Sequence, residues 1–292
     1  MSPRPAHRAP APAAGPPALP SAFVVRQLRV DLTHGFAALW AGGDAFRTHY
    51  LTALSMSFPE GEQYFIDAVK AGAALLPAEA QLRWAPTLRG FVGQEATHRF
   101  LHAQFNAELA RQGLVNHWQG WIRWRVAFGT HLHPRNHVAV TAACEHVTAV
   151  LSHALLADER WLADAEPDLA LLWRWHAIEE SEHRAVAFDL YRELGGGERR
   201  RVLWYLYVLL FFVSEASLQT LSNLWRSGRI WRPGTWWQTM RFVFGPRGLI
   251  TATLRPLCRY LKPGFHPQQS PVAPQAHAGL AAMDGRYRIV AE

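Results

Sequence analysis

Two short motifs of a glutamate and a histidine are the strongest chemical signal in this sequence. Glu95 is followed three residues later by His98, and Glu180 is followed three residues later by His183. On an α-helix this spacing places both side chains on one face, where their tips can reach the same ion. Each motif therefore predicts a pair of metal ligands.

Each motif also has one further glutamate upstream, at a similar interval. Glu62 lies 33 residues before Glu95, and Glu145 lies 35 residues before Glu180. If each interval is a helical hairpin, its legs extend roughly 22 to 30 Å at about 1.5 Å per residue, and the two glutamates end at similar heights. We expect all six side chains to meet in the middle of a bundle. The predicted metal ligands are Glu62, Glu95, His98, Glu145, Glu180 and His183.

This set of donors is typical of helical bundles that hold two iron or manganese ions. We therefore expect two divalent metal ions, with iron favoured and manganese or zinc as alternatives. Four carboxylates buried without metal would be strongly destabilising, so metal binding and folding are expected to be linked.

Some of the predicted metal ligands have alternatives nearby in the sequence. A single Glu-x-x-His pair is common on exposed helices, and it is the repetition that favours a metal site. Glu60 competes with Glu62 as the first ligand. Glu179 and Glu182 flank Glu180, but only Glu180 has the three-residue spacing to the following histidine.

Two more histidines share a helical face with the motifs. His102 lies four residues after His98, and His176 lies four residues before Glu180. We predict that His102 and His176 are catalytic proton carriers, further metal ligands or residues that orient the ligands. The structural alternative is a pair of core or rim histidines.

The elements that must position these residues are predicted to be helices, because alanine, leucine, glutamate and arginine dominate and strand signals are scarce. Pro59 is expected to break the first helix and begin a second, with Ser57 as its cap. The segment from Gly113 to His133 is aromatic and reads as irregular. The predicted helices cover about 25–56, 59–75, 78–112, 134–162, a segment after a turn at 163–167 that reaches about 194, and 199–226.

The predicted fold is all-α, a ferritin-like four-helix bundle with an additional N-terminal helix and a C-terminal helical extension. Residues 1–21 are expected to be a disordered leader rich in proline and alanine, and residues 22–198 to form the di-metal bundle. Residues 199–261 are expected to be a basic, tryptophan-rich extension packed on the bundle. Residues 262–292 are predicted to be a flexible tail.

Charge is concentrated in the extension. The chain carries a net charge of +7, and the stretch from Arg199 to Tyr260 contains ten arginines against the single acid Glu215. No nucleic-acid-binding motif accompanies them, so a nucleic-acid partner is not expected. The apolar run from Val202 to Val213 is short for a membrane span. With nearby tryptophans, it favours peripheral attachment to an anionic membrane, the alternative being a helix that caps the bundle.

Only two cysteines are present, and no secretory signal is recognisable. These features favour a cytoplasmic protein, with the membrane contact on the inner face. We expect a monomer or a homodimer.

Three segments around the motifs resemble a bacterial family described as predicted metal-dependent hydrolases, over roughly residues 28–255. The segments are Phe58–Glu62, Gln94–His98 with His102 and Asn106, and Trp175–His183 with Ala187–Asp189. The resemblance implies a metal-dependent enzyme related in pattern to ferritin-like proteins.

The chemistry predicted first is that of a di-iron oxidase or oxygenase acting on a small apolar or acyl-type substrate with an external electron donor. The alternative is hydrolysis by water activated between two metal ions. A third interpretation is non-catalytic, ferritin-like iron binding.

Overall fold

The computed structural model describes residues 23–269, 279–281 and 283–290, which are mainly helical, and this confirms the all-α class. The predicted leader over residues 1–21 lies outside the described residues. The helices are α1 (Ala45–Ala73), α2 (Ala78–Arg111), α3 (His117–Gly129), α4 (Pro134–Ala157), α5 (Pro167–His183), α6 (Val186–Glu193), α7 (Glu198–Arg226), α8 (Pro233–Phe244) and α9 (Leu249–Arg259), with short 3-10 turns at Glu159–Trp161 and Pro267–Gln269.

Four of these helices carry the predicted ligands. Helices α1 and α2 form one hairpin, α4 and α5 form the second, and α1 also packs against α4. Prolines mark the turns: Pro77 precedes α2, while Pro134 and Pro167 occupy the first positions of α4 and α5, where a missing N–H costs little. The ferritin-like arrangement itself stays a prediction.

The predicted break at Pro59 is wrong, and no separate N-terminal helix precedes it among the described residues. Helix α1 runs continuously through Pro59. A proline inside a helix leaves the carbonyl four residues earlier without its usual N–H donor. Here Asn106 Nδ2 donates to Ser55 O at 2.9 Å, and Asn116 Nδ2 donates to Met56 O at 2.7 Å. The Asn106 side chain thus satisfies the carbonyl that the proline frees, and Asn116 donates to the carbonyl of the next residue.

Two further predicted boundaries differ from the structure. The aromatic segment after Gly113 is not irregular, because Asn116 caps α3 by accepting from the Gln119 backbone N–H at 2.9 Å. The helix expected to reach residue 194 is interrupted after His183. There the Arg184 guanidinium donates to Ser181 O. In a continuous helix that carbonyl would accept from the backbone N–H of Ala185.

The segment expected to be a flexible tail contains a strand, so that prediction is wrong for residues 287–289. Strand β1 (Arg26–Leu28) pairs antiparallel with β2 (Tyr287–Ile289), with Arg26 opposite Ile289. This two-stranded sheet lies against α2. It brings Arg26 to the bundle.

The C-terminal extension is helical, as predicted, and α7 packs against α1 and α4. Within the described residues, α4 and α7 are long and apolar enough to cross a membrane. Helix α4 is largely buried and carries Glu145, so its apolar character is explained by the core. Helix α7 leaves much of its apolar surface exposed.

Candidate metal centre

The structure brings all six predicted ligands together in the interior of the bundle. Glu62 comes from α1, the first motif from α2, Glu145 from α4 and the second motif from α5. None of the six side chains is more than 2% exposed. Two apolar clusters surround them, one containing Phe105 and Trp173 and the other Phe91 and Val147.

The two motifs face each other at the centre of the cluster. One ligand atom from each of Glu95, His98, Glu180 and His183 can be chosen so that all four lie within 4.8 Å of one another. His98 Nδ1 lies 3.6 Å from Glu180 Oε1, and His183 Nε2 lies 3.5 Å from Glu95 Oε1. Glu180 Oε1 is also 3.9 Å from His183 Nε2, so Glu180 lies between the two imidazoles.

The two upstream glutamates complete the cluster. Glu145 Oε2 lies 2.8 Å from His183 Nδ1. Glu62 forms a second compact group with His98 and His176. Its competitor Glu60 is directed elsewhere, because Glu60 accepts hydrogen bonds from Arg123 and Gln119 at 2.9 and 3.0 Å. The buried position thus belongs to Glu62.

Buried atoms without hydrogen-bond partners test whether a metal fits here. Within the described residues, every one of the six side chains has at least one such atom, including both carboxylate oxygens of Glu62 and Glu95. Unpartnered buried polar atoms are costly and rare. The unpartnered nitrogens are His98 Nδ1 and His183 Nε2. Oxygen and imidazole nitrogen donors suit divalent transition metals, so the residues present fit such ions.

Proton affinities in the cluster reflect its burial and its excess of carboxylates. Burial raises the pKa of Glu62 and Glu95 well above the usual range, and the neighbouring carboxylates Glu180 and Glu145 add to that shift. Burial also raises the pKa of Glu145, to about 7, although His183 opposes the shift. Divalent cations would replace the protons that these carboxylates otherwise hold.

Glu180 and His183 behave as an ion pair within this group. Burial disfavours the charged form of Glu180, but His183 and a hydrogen bond from His176 lower its pKa to about 2. Burial likewise acts against the charged His183, but Glu145 and Glu180 raise its pKa to about 9.

An outer carboxylate holds the His98 ring. His98 Nε2 lies 3.1 Å from Glu179 Oε2, which leaves Nδ1 facing the cluster. Burial raises the pKa of Glu179 to about 8, although Arg26 opposes the shift. Arg26 NH1 lies 3.1 Å from Glu179 and 3.0 Å from Glu182. A carboxylate on the second nitrogen of a ligand histidine fixes its orientation.

The two additional histidines form a chain that leads away from the cluster. His176 Nε2 lies 3.2 Å from Glu180 Oε1, and its Nδ1 lies 2.8 Å from His102 Nε2. His102 Nδ1 in turn lies 2.8 Å from Ser55 Oγ. Phe58 packs against both imidazole rings. The chain therefore connects Glu180 to Ser55 through two buried imidazoles.

Arg26 and Ser55 are the contributors that the sequence reasoning missed. Ser55 lies seven residues before Glu62 on the same helical face, which is a usable signal. For Arg26 the signal is indirect: a Cβ at Gly90 would lie 2.8 Å from Phe23 N, and one at Gly93 would lie 2.4 Å from Val25 Cγ2. Glycines inside a helix can mark the close approach of another segment.

Comparison with known proteins gives one match. The model of a family described as predicted metal-dependent hydrolase matches residues 24–270, a range that includes all six predicted ligands and Arg26. No curated protein and no solved structure matches the chain.

Proposed function

Because this chain belongs to the predicted metal-dependent hydrolase family, we propose that it is a hydrolase with two divalent metal ions held between α1, α2, α4 and α5. The family and the buried glutamate–histidine group together support a metal-dependent enzyme. They favour the hydrolytic alternative over the di-iron oxidase or oxygenase chemistry that we predicted first.

The observation that carries the proposal is the convergence of unpartnered buried atoms from six side chains on four helices. In the proposed site the six residues named from the sequence would hold the ions, and Glu180 lies between the two motif histidines. Two divalent ions would lower the pKa of a bound water and polarise the bond to be cleaved.

His176 and His102 are assigned the proton transfer. His176 Nε2 is the imidazole nitrogen adjacent to Glu180, so it is placed to exchange a proton with the site. Burial and the neighbouring His176 keep the pKa of His102 well below its usual value, so His102 is neutral. A neutral imidazole can accept a proton on one nitrogen and release the other, so His102 can exchange protons with His176, whose Nδ1 lies 2.8 Å from His102 Nε2.

A redox function is the second candidate, and the donor set favours it. Four carboxylates and two histidines on four helices are also the ligands of di-iron carboxylate proteins. Such an enzyme would need an external electron donor. Non-catalytic iron binding is the third outcome that the same experiment distinguishes.

The test is to remove metal and reload the protein separately with Zn(II), Mn(II) and anaerobic Fe(II). Bound metal per chain is counted by mass spectrometry, and each sample is assayed for ester and amide hydrolysis and for oxygen uptake with a chemical reductant. Two ions and hydrolysis without oxygen uptake are expected. Oxygen uptake without hydrolysis would establish the redox candidate. Iron binding with neither activity would establish non-catalytic iron binding. If no metal binds, all three candidate functions are overturned.

Three carboxamide variants locate the site. Glu95→Gln and Glu180→Gln are expected to lose metal, because each removes a buried oxygen donor. Glu60→Gln is the control, since Glu60 is bonded to Arg123 outside the cluster. Equal loss of metal in the control would contradict the ligand assignment.

We further propose that the outer face of α7 attaches the protein to an anionic membrane. Leu203, Leu206, Leu210 and Val213 recur at helical spacing on that face and are 46–64% exposed. The exposed arginines beyond the two ends of this stripe are Arg199, Arg200, Arg226 and Arg229. Their positive charge complements anionic lipid headgroups, while the apolar stripe can enter the interface.

A further inference from the structure

A cavity of about 340 Å³ lies between α1, α3, α4 and α7. Small-molecule sites typically begin at about 300 Å³. Glu62 is among its lining residues, so the cavity reaches the candidate metal centre. A molecule held there would have one end beside the metal ligands.

The walls of the cavity are aromatic and aliphatic, with side chains such as Phe65, Trp118 and Phe212. Two of the hydroxyl groups that line it already have partners. Tyr64 Oη lies 2.9 Å from His137 Nδ1, and Thr148 Oγ1 donates to Glu145 O at 3.1 Å. The cavity therefore favours an apolar ligand with few polar groups.

The described lining of the cavity offers no free arginine or lysine to an anionic ligand. Among its described lining residues, Arg125 is the single arginine or lysine, and it forms an ion pair with Glu215, which also lines the cavity. The guanidinium also lies over the Phe211 ring, 5.3 Å from its centroid. No unpaired arginine or lysine is left among them for a ligand carboxylate, and burying an unpaired carboxylate against apolar walls is costly.

We propose that this cavity binds the acyl chain of a neutral ester or amide, with its carbonyl group directed toward Glu62. This inference rests on the proposed hydrolase function. Water would add to the carbonyl carbon, and the acyl C–O or C–N bond would break to give a carboxylic acid and an alcohol or amine. The product acid ionises to an anion that the cavity disfavours, which promotes its release.

The volume sets the length of the chain. At roughly 30 Å³ for each methylene-sized group, the cavity holds on the order of ten of them. Binding of neutral alkyl amides of six, eight, ten and fourteen carbons can be measured by calorimetry. We expect affinity to rise about fourfold per methylene up to about ten carbons and then to stop rising. Decanoate should bind at least about tenfold more weakly than decanamide; equal binding of the two would overturn the claim of neutrality.

Two glycines on helices provide a matched pair of variants. Gly61 lines the cavity, and a Cβ there would meet nothing within 4 Å, so Gly61→Leu fills the cavity without a backbone clash. Gly120 on α3 is exposed, does not line the cavity and is equally open. Decanamide should bind at least about tenfold more weakly to Gly61→Leu and unchanged to Gly120→Leu. Undiminished binding to Gly61→Leu would place the ligand elsewhere and overturn the inference.

Metal content of the same samples separates this inference from the proposed function. Metal binding and hydrolysis of short esters, without decanamide binding, would overturn the substrate class and leave the hydrolase intact. Decanamide binding that is lost in Gly61→Leu, in a protein that binds no metal, would overturn the hydrolase and keep the assignment of the cavity to a neutral acyl ligand.

Discussion

Asn106 on α2 hydrogen-bonds twice to Ser55 on α1, four residues before Pro59. Its Nδ2 donates to Ser55 O at 2.9 Å, and its Oδ1 accepts from Ser55 Oγ at 2.9 Å. The first bond replaces the helical one that Pro59 cannot make. The second helps to fix the hydroxyl at the end of the histidine chain, so one side chain supports both α1 and the candidate site.

Replacing Asn106 with alanine should lower the free energy of unfolding by about 1–3 kcal/mol, because Ser55 O would lose its donor. In a Pro59→Ala background the cost should be smaller, since residue 59 then supplies the missing N–H. Urea unfolding of the wild type, both single variants and the double variant measures the coupling. An equal cost in both backgrounds would show that the proline is not what Asn106 compensates.

Without metal, the protein should become less stable as the pH rises from 7 to 9. Burial raises the pKa of Glu145 to about 7 and that of Glu179 to about 8, so the folded state holds protons that the unfolded state has released. Stability from such groups is present at low pH and is lost as the pH passes these values. His183, whose pKa is raised to about 9 by Glu145 and Glu180 against burial, acts in the same direction.

Thermal unfolding at pH 7 and pH 9, with and without Zn(II), Mn(II) or Fe(II), measures this effect. The metal should raise the melting temperature at both pH values and more strongly at pH 9, where it replaces lost protons. His98 and His102 have lowered pKa values, so their effect is to make the protein more stable as the pH rises. This effect is complete near pH 6.5 and does not act between pH 7 and pH 9. A metal-free protein that is more stable at pH 9 would contradict the buried carboxylate cluster.

Arg26→Met should weaken metal binding about 10- to 100-fold, in line with other outer-shell changes. Without the guanidinium, Glu179 loses the cation at 3.1 Å and holds its proton more tightly, so it orients His98 less well. Competition titration with a chelator measures the affinity. Arg29→Met is the control, because Arg29 is exposed on the same segment. Unchanged metal affinity in Arg26→Met would show that Arg26 has only a structural role.

Flotation with liposomes tests the outer face of α7. The protein should bind vesicles that contain anionic lipid at low salt and should be released at high salt, because exposed charges are screened. Leu206→Glu with Leu210→Glu should abolish binding. Leu82→Glu is the control, since Leu82 is 78% exposed on α2. Binding that persists in the α7 variant would place the lipid contact elsewhere.

The centre of the candidate site could be predicted from the sequence because its geometry is local. Glu95 and His98 share a face on any helix, and so do Glu180 and His183, and matched intervals bring the two pairs to one height. The position of Glu62 rather than Glu60 could not be settled in this way. That choice depends on Arg123, which lies on a helix that the sequence reasoning did not recognise.

Two of the other errors, the break at Pro59 and the flexible tail, share a physical cause, which is the contribution of distant residues. A proline normally ends a helix, and no local pattern reveals that Asn106 will supply the missing donor to α1. Likewise, nothing near Tyr287 in the sequence identifies β1 as its strand partner. Local sequence preferences predict which segments are helical and which side chains share a helical face. Long-range hydrogen bonds determine whether a helix continues through a proline.

The pairing of β1 with β2 has a consequence for the order of events during synthesis. Arg26 emerges from the ribosome before any of the six ligands, but the Tyr287 ring that lies 6.0 Å from its guanidinium emerges long after all of them. A nascent chain halted after α5 would contain every donor and still lack the strand that positions the outer cation. Maturation of the centre is therefore expected to wait for synthesis of β2, with tight metal capture following the pairing of β1 with β2.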